Sequence, residues 1–353
     1  MEPVTPRSGD GDGVVAQTAG GAGAVHVLRP EELVVGARVV LRHRLPDGSA
    51  ADALGDLVHA DADLLVVSTR RGQVHVGRAD LLAGKAVPPP PVRRGPPHEA
   101  VGTDDLERVA AEHWRPDERE DVGGWRLRAT GGVTARANSA LAVGSPGLDV
   151  GAALTRVEQF YARRGLPAVV AVPHPAGGGR GAGTEPADEL ARRGWAVAKP
   201  TLVLTAATDD VPGAADVALP AGLAVVRSAV PDAGWLDLHH PGGAGAVPPA
   251  ARRLLVSADE QVFVRVLDGA TTVAVARGSL SPGWAGVSAL ETVPSHRRRG
   301  LARRALAEVA DWARSRGARS TFLQVEDGNE GALALYGGAG FSVHHGYHYR
   351  VAP

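Results

Sequence analysis

An abrupt change from strand to helix near the end of the chain most constrains its fold. Residues typical of a strand run up to Val293, and Pro294 ends that strand before an arginine-rich turn. After Gly300, apolar residues recur at near-helical spacing over 301–312, so one face of a helix there can pack on a sheet. The first N–H groups of such a helix have no internal acceptors, and the helix dipole makes that end positive. The turn therefore predicts a cradle for a pyrophosphate group.

A second motif follows this helix, predicted over Gly300–Arg316, and a strand predicted over Ser320–Val325. It begins at Asn329, reaches Tyr336 and closes with a glycine before Phe341. Together the two motifs resemble the GCN5-related N-acetyltransferase (GNAT) family. That family joins Arg-x-x-Gly-x-Ala, before a helix, to Asn-x-x-Ala-x-x-Leu-Tyr-x-x-x-Gly-Phe after the next strand. The resemblance covers roughly 220–353 and implies an α/β (α+β) fold with a mixed sheet flanked by helices.

The resemblance also implies acetyl-CoA as cosubstrate and a role for each matching position. Backbone groups around Thr292 and Val293 would pair with the pantetheine arm, and an N–H near Val293 would polarise the thioester carbonyl. Asn329 would bond the same arm or cap the short helix that follows it. Tyr336 would protonate or stabilise the departing thiolate. The pyrophosphate would bind the amides of the turn, namely those of Arg298, Arg299, Gly300, Leu301 and Ala302.

The general base is less defined than the acid. Glu291 lies on the strand beside the expected cofactor and is the first candidate, with a solvent-facing carboxylate as the alternative. Some relatives place a glutamate on the next strand, but this chain has Gln324 there, which cannot act as a base. Glu326, just beyond that strand, is the reserve candidate. His345 and His348 on the last strand are interpreted as substrate contacts or as surface residues.

The expected reaction is direct attack of a primary amine, on a small molecule or a protein, in a ternary complex with acetyl-CoA. A non-catalytic CoA-binding sensor or scaffold, with the N-terminal domain docking a partner, is the alternative hypothesis. Transfer of a longer acyl group, or transfer to a hydroxyl or thiol, is a third. The 13 histidines show no metal-ligand spacing, so no metal is expected.

The middle segment, 99–210, resembles the first half of GNAT proteins of an actinobacterial type that carry tandem GNAT-like halves. It lacks both motifs and is interpreted as a degenerate half that covers the catalytic domain, 220–353. Four of its residues are candidates to line the acceptor cleft, with a purely structural role as the alternative. They are Trp125, Arg128, Arg136 and Asn138.

The N-terminal part has a different pattern. Short strands separated by turn signals over 28–87 predict a small SH3-like β-barrel. A proline-rich linker, 88–98, follows it, and the Gly-rich residues 1–27 predict a disordered tail.

Composition excludes several function classes. A net charge of -1 gives no general attraction to nucleic acid or anionic membranes, so neither is expected as a partner. The absence of cysteine excludes disulfides, thiolate metal sites and thiol nucleophiles. No apolar run approaches the roughly 20 residues that span a bilayer, and a cytoplasmic location is expected. The oligomeric state and the identity of the acceptor stay open.

Overall fold

The computed structural model describes residues 35–69, 72–87, 95–176, 185–240 and 244–353. The chain forms two compact units, Met1–Pro88 and Pro89–Pro353, and the division falls at the start of the predicted linker. The predicted tail, the first residues of the predicted barrel and most of that linker lie outside the described residues. No helix in the described part of the chain is long and apolar enough to cross a membrane.

The small unit is an antiparallel sheet. Its strands are β1 (Arg38–Arg44), β2 (Ala50–Ala60), β3 (Leu64–Thr69), β4 (Gly72–Gly77) and β5 (Leu81–Ala86). They lie in the order β4-β3-β2-β1-β5. Alternate residues of the strands, including Leu41, Leu57 and Val67, point into one apolar core and are fully buried. The small antiparallel sheet expected here is present, but its described residues contain no ladder that would close it into a barrel.

The large unit contains eleven strands and eight helices in its described residues. The strands are β6 (Glu118–Val122), β7 (Trp125–Ala129), β8 (Ala140–Leu141), β9 (Val169–Pro175), β10 (Ala196–Ala207), β11 (Leu223–Ser228), β12 (Glu260–Asp268), β13 (Thr271–Ser281), β14 (Trp284–Thr292), β15 (Ser320–Glu326) and β16 (Ser342–Val351). The helices are α1 (Pro97–Ala100), α2 (Thr103–Glu112), α3 (Val150–Ala162), α4 (Glu185–Arg192), α5 (Ala233–His239), α6 (Pro249–Leu255), α7 (Leu301–Ser315) and α8 (Glu330–Gly337).

All eleven strands form one mixed sheet, in the order β11-β12-β13-β14-β15-β10-β16-β9-β8-β7-β6. Strand β10 ends the segment 99–210, yet it lies between two strands of the following segment and pairs antiparallel with both β15 and β16. Strand β16 in turn pairs with β9. The two segments that the sequence separates at about residue 210 are therefore joined through shared strands in one sheet.

Helices cover both faces of this sheet where the catalytic motifs lie. On one face, α7 buries Leu306, Val309 and Ala313 against the strands, as the periodicity of 301–312 predicts. Burial of each large apolar side chain contributes roughly 1.5–3 kcal/mol. On the other face, α2 packs through Leu106 against a second apolar cluster that includes Phe322 of β15.

Candidate active site

The sheet opens between β14 and β15. Their parallel pairing is confined to Trp284–Val287 on β14 and Ser320–Leu323 on β15, and the later residues of the two strands separate. Beyond that point β14 pairs with β13 alone, with a register shift near Ala289, whose φ of 52° is left-handed. Such a backbone is unfavourable for a residue with a Cβ and increases the local twist. The divergence leaves a groove of about 610 Å³ between the strands.

The start of α7 offers a run of free backbone donors. Gly300 and Arg298 have φ values of 80° and 62°, so the turn coils tightly before the helix. The first backbone bond of the helix is donated by Arg304 to the Gly300 carbonyl, at 2.9 Å. In the described part of the chain, the amides of 298–303 donate to no backbone acceptor. Consecutive free amides at a helix N-terminus form an anion-binding concavity.

Charge around this turn also favours an anion. The side chains of Arg298 and Arg299 are exposed and form no ion pair with the described residues. A Cβ added at Gly300 would meet no atom within 4 Å, so the positive φ, and not crowding by the protein, favours glycine there. Leu301 is buried in the core and anchors the helix, whereas Ala302 is half-buried.

Tyr336, on α8, lines the groove and is 9% exposed. Its ring packs edge-on against Phe341, with ring centroids 6.1 Å apart. Burial raises the pKa of Tyr336 to about 12, so the hydroxyl remains protonated at neutral pH. Among the described residues this hydroxyl has no hydrogen-bond partner. It is therefore a proton donor available to a ligand in the groove.

Asn329 lies at the same end of the groove and caps α8. Its Oδ1 accepts a hydrogen bond from the Ala332 amide at 3.1 Å. The capping role, one of the two that the sequence offered, is thus confirmed. Asn329 is exposed and lines the groove, so contact with the pantetheine arm stays a prediction.

Glu291 lies on β14, half-buried at the groove, with a partner that the sequence did not indicate. Its Oε1 is 2.6 Å from Nδ1 of His239, on α5. The His239 ring also contacts Trp235, with centroids 4.8 Å apart, which fixes its position. The reserve candidate, Glu326, is exposed and lines the same groove.

A backbone N–H near Val293 was predicted to polarise the thioester carbonyl, and the amide of Val293 itself is not available for that role. The Val293 amide donates to the Val273 carbonyl at 3.0 Å, because the ladder between β13 and β14 extends to this residue. That amide is occupied and cannot polarise a thioester carbonyl. The Thr292 carbonyl likewise accepts a bond from Arg297, at 3.3 Å. Contact of Thr292 and Val293 with the pantetheine arm remains a prediction.

Two small cavities adjoin the groove on the face covered by α2, and both share Arg136 and Gln324 with it. Arg136 comes from a short 3-10 turn, Ala135–Ala137, in the segment 99–210. Its Nε donates to Oε1 of Gln324 at 2.6 Å. The segment without catalytic motifs therefore contributes a side chain to the site. That this segment shapes the acceptor cleft stays a prediction.

The other three cleft candidates differ in position. Arg128 lines one of the small cavities and donates to the Ser139 carbonyl at 3.0 Å. Trp125 is fully buried in the core, where its indole N–H donates to the Gly144 carbonyl at 3.3 Å. Asn138 holds the preceding turn by accepting bonds from nearby amides. Trp125 and Asn138 are structural and line none of these three spaces, so their predicted cleft role is wrong.

The histidines of the last strand do not line the groove either. His345 is fully buried and its Nε2 lies 2.9 Å from Glu107, while His348 is 1% exposed. Strand β16 is not an edge strand, since β10 and β9 flank it, and its residues 345–349 are buried. Neither surface exposure nor substrate contact, the two predicted alternatives, applies to them.

A buried polar cluster near the cavities was missed because its members lie far apart in sequence. His113 Nδ1 and Nε2 lie 2.8 Å and 3.0 Å from the hydroxyls of Ser279 and Ser281. Burial, and then the charge of Arg277, lower the pKa of His113 to about 3, so the ring stays neutral. The Arg277 guanidinium is itself fully buried and lies 4.4 Å from the centroid of the Trp114 ring. No group of possible metal ligands is present among the described residues.

Diverging parallel strands, an anion cradle before the next helix and a protonated tyrosine beside the groove define an acyltransferase of the GNAT class. Solved structures show the same fold. A GCN5-related N-acetyltransferase from Kribbella flavida is 19% identical, with a TM-score of 0.53 over 71% of this chain and 95% of that one. A tandem GNAT protein from the clavulanic acid biosynthesis pathway is 16% identical, with a TM-score of 0.53 over 73% and 90%.

Family models assign the chain more closely. Residues 103–350 match the family described as Probable histone acetyltransferase Rv0428c C-terminal, and 33–85 match the Rv0428c N-terminal Sm-like domain. The chain therefore belongs to the Rv0428c family and is an N-acetyltransferase-type enzyme. The small unit predicted as SH3-like is Sm-like in this assignment.

Relatives in sequence agree with this assignment. Probable histone acetyltransferase Rv0428c of Mycobacterium tuberculosis is 29% identical over 340 residues, which cover 90% of this chain and 95% of the relative. Uncharacterized N-acetyltransferase YobR of Bacillus subtilis is 26% identical over 249 residues, which cover 70% and 97%. The predicted GNAT resemblance and enzyme class are thus confirmed.

Proposed function

We propose that this chain transfers an acetyl group from acetyl-CoA to a primary amine by direct attack in a ternary complex. One observation carries the proposal: the groove between β14 and β15 is lined by both Asn329 and Tyr336, a tyrosine whose hydroxyl has no partner among the described residues. The free amides of 298–303 precede the helix that follows β14. A thioester of CoA needs this combination of an anion site and an extended slot with a proton donor.

Cofactor binding follows from the backbone. The amides of Arg298, Arg299, Gly300, Leu301 and Ala302 would hold the pyrophosphate. The arm would then follow the unpaired side of β14 past Thr292 and Val293, towards the point where the strands separate. Asn329, fixed by its capping bond, would face the arm from the opposite side of the groove.

The chemistry divides between a base and an acid. The amine nitrogen forms a bond to the acetyl carbon, and the carbon–sulfur bond breaks with its electron pair leaving on sulfur. Glu291, held by His239, would take the proton from the amine, directly or through a water molecule. Tyr336 would donate a proton or a hydrogen bond to the leaving thiolate. A positioned acid or base typically contributes about 10²–10⁴-fold to the rate.

The acceptor class is a separate part of the proposal. The Mycobacterium tuberculosis relative is named for a histone acceptor, so a protein amine is one candidate for this chain. A small-molecule amine is the other, and it would bind in the groove that Arg136 lines.

The test is release of free CoA from acetyl-CoA in the presence of an amine library, followed with a thiol-reactive dye. The chain contains no cysteine, so the dye reports CoA alone. We expect acceptor-dependent release, with calorimetric binding of acetyl-CoA by the same protein. Binding without turnover of any amine would support a CoA sensor. Failure to bind acetyl-CoA would remove both functions.

A further inference from the structure

Arg136 occupies a position that the acetyl-transfer proposal does not explain. Among the described residues, only Arg136 and Gln324 line both small cavities and the main groove. A guanidinium carries several N–H donors in a planar fork. Its Nε donates to the neutral amide oxygen of Gln324 at 2.6 Å, and the side chain also forms a hydrogen bond with Tyr347. The side chain of Arg136 thus faces open space at the point where the strands separate.

Arg136 has no carboxylate partner among the described residues. It forms no ion pair within 4.0 Å among the described residues. Burial acts to lower the pKa of Arg136, but Tyr347, Tyr349 and the exposed Glu326 raise it, and the net change is upward. A half-buried cation without a carboxylate partner can be stabilised by an anionic ligand.

The surroundings of the small cavities add positive charge. One of these cavities is also lined by Arg128, whose close partners are the neutral carbonyl and hydroxyl of Ser139. The acid in that lining, Glu107, hydrogen-bonds to His345 at 2.9 Å and also raises the pKa of Arg128 electrostatically, against the larger effect of burial, which lowers it. That cavity measures only about 10 Å³. The other small cavity, lined by Arg136, His113 and Ser279, measures about 60 Å³ and has room for a small polar group, since a single water needs roughly 10–15 Å³.

The outer groove has the opposite character. Its lining contains the carboxylates of Glu291, Glu326 and Asp327. An acceptor that spans both regions would meet acids near the strand ends and a guanidinium farther in. This distribution fits a molecule with an ammonium group and a carboxylate, and it does not fit a purely basic lysine side chain.

We propose that Arg136 binds a carboxylate on the acceptor, and that the acceptor is a small amino acid-like amine that carries both charges. The inference rests on the proposed acetyl transfer, since it names the substrate class of that site. The planar guanidinium would bind the carboxylate through two parallel N–H···O bonds. Gln324 would hold the guanidinium in position through the 2.6 Å bond already present. Arg136 is thus a specificity-determining residue supplied by the segment without catalytic motifs.

The experiment compares matched acceptors. A panel of α-, β- and γ-amino acids is assayed, each beside its own carboxamide, together with a basic lysine peptide. We expect the amino acids to have a higher kcat/KM than their carboxamides. In Arg136→Gln that preference should fall by about 10- to 100-fold, the range for loss of a hydrogen bond to a charged group. Arg136→Lys, which keeps the charge but loses the fork, should lie between the two.

Controls separate this role from a folding effect. Arg319→Gln removes an exposed arginine that lines none of these cavities and should leave the preference unchanged. The unfolding midpoint and acetyl-CoA affinity of each variant are measured beside the kinetics. If Arg136→Gln slows an amino acid and its carboxamide equally, Arg136 acts only as a structural residue and the proposal is overturned. A lysine peptide as the best acceptor, unaffected by Arg136→Gln, overturns it as well.

A binding measurement keeps the proposal testable if no panel member turns over. N-acetyl-β-alanine and its amide, as product probes, are titrated calorimetrically into the protein with and without CoA. Binding of the acid that Arg136→Gln removes supports the inference, and no binding at millimolar concentration refutes it. Acetyl-CoA binding and turnover of neutral amines without charge preference would overturn only this inference. Loss of acetyl-CoA binding altogether would instead remove the acetyl-transfer proposal.

Discussion

Replacement of Gly300 by Asp or Asn tests whether the turn before α7 binds the pyrophosphate of CoA. The two residues have nearly the same shape, and both tolerate a positive φ better than other side chains do. A Cβ at this position meets no protein atom within 4 Å, so both variants should fold with the same small cost from the φ of 80°. The two variants differ only in the one negative charge that Gly300→Asp adds at the expected pyrophosphate site.

The size of the effect follows from Coulomb's law. Two unit charges 4 Å apart in a water-like dielectric repel by about 1 kcal/mol. Gly300 is exposed, so this high dielectric is the appropriate one. A pyrophosphate with two charges is then destabilised by roughly 2 kcal/mol, which weakens binding by about 30-fold. The affinity of Gly300→Asn for CoA should lie within a few-fold of the parent, and Gly300→Asp should be about 30-fold weaker than Gly300→Asn.

Calorimetric titration with acetyl-CoA measures this difference directly. S-acetylpantetheine, which lacks the pyrophosphate, is the control ligand and should bind Gly300→Asp and Gly300→Asn with nearly equal affinity. Raising the salt to about 1 M shortens the screening length to roughly 3 Å and should shrink the difference. Equal affinity of Gly300→Asp and Gly300→Asn for acetyl-CoA would refute the placement of pyrophosphate at this turn.

Three further predictions concern the acid, the base and the buried cluster. Tyr336→Phe keeps the ring packing on Phe341 but removes the hydroxyl, so kcat should fall by about 10²–10⁴-fold with acetyl-CoA affinity unchanged in a parallel titration. Glu291→Gln should lower kcat with acetyl-CoA affinity unchanged, and His239→Gln should lower kcat less, since it removes only the 2.6 Å partner that positions the carboxylate; an unchanged kcat in Glu291→Gln would exclude Glu291 as the base. Burial lowers the pKa of His113 to about 3, whereas a histidine in the unfolded chain titrates near 6.5. As the pH falls, the unfolded state therefore binds the proton first, and the protein loses stability between about pH 6.5 and pH 3. In His113→Gln, thermal unfolding should depend less steeply on pH across that window, and an identical slope would contradict the burial of a neutral ring.

Much of the C-terminal part of the site could be predicted from local sequence. Helix α7 begins one residue from its predicted start, and α8 begins directly after Asn329. These elements depend on neighbours within a few positions, such as the left-handed Gly300 and the capping bond of Asn329. Short-range signals of this kind are written in consecutive residues, so sequence patterns report them well.

The predictions that failed concern residues whose environment is set at long range. His345 and His348 lie on a strand that reads as a possible exposed element, but its neighbours β10 and β9 come from the preceding segment and bury it. Trp125 and Asn138 are polar or aromatic residues near a turn, and only packing decides that they support the core and not the cleft. No periodicity in the sequence carries that information.

The sequence by itself determined the class of protein, the anion cradle at 298–302 and the tyrosine at the end of the second motif, because backbone conformation and helix capping are local properties. Tertiary structure alone decided the insertion of β10 between β15 and β16, since strand pairing depends on contacts between distant segments. It also brought Arg136 to Gln324 across 188 positions and His239 to Glu291 across 52. The proposed acceptor side of the site is assembled by these long-range contacts, so only the folded chain reveals its charge.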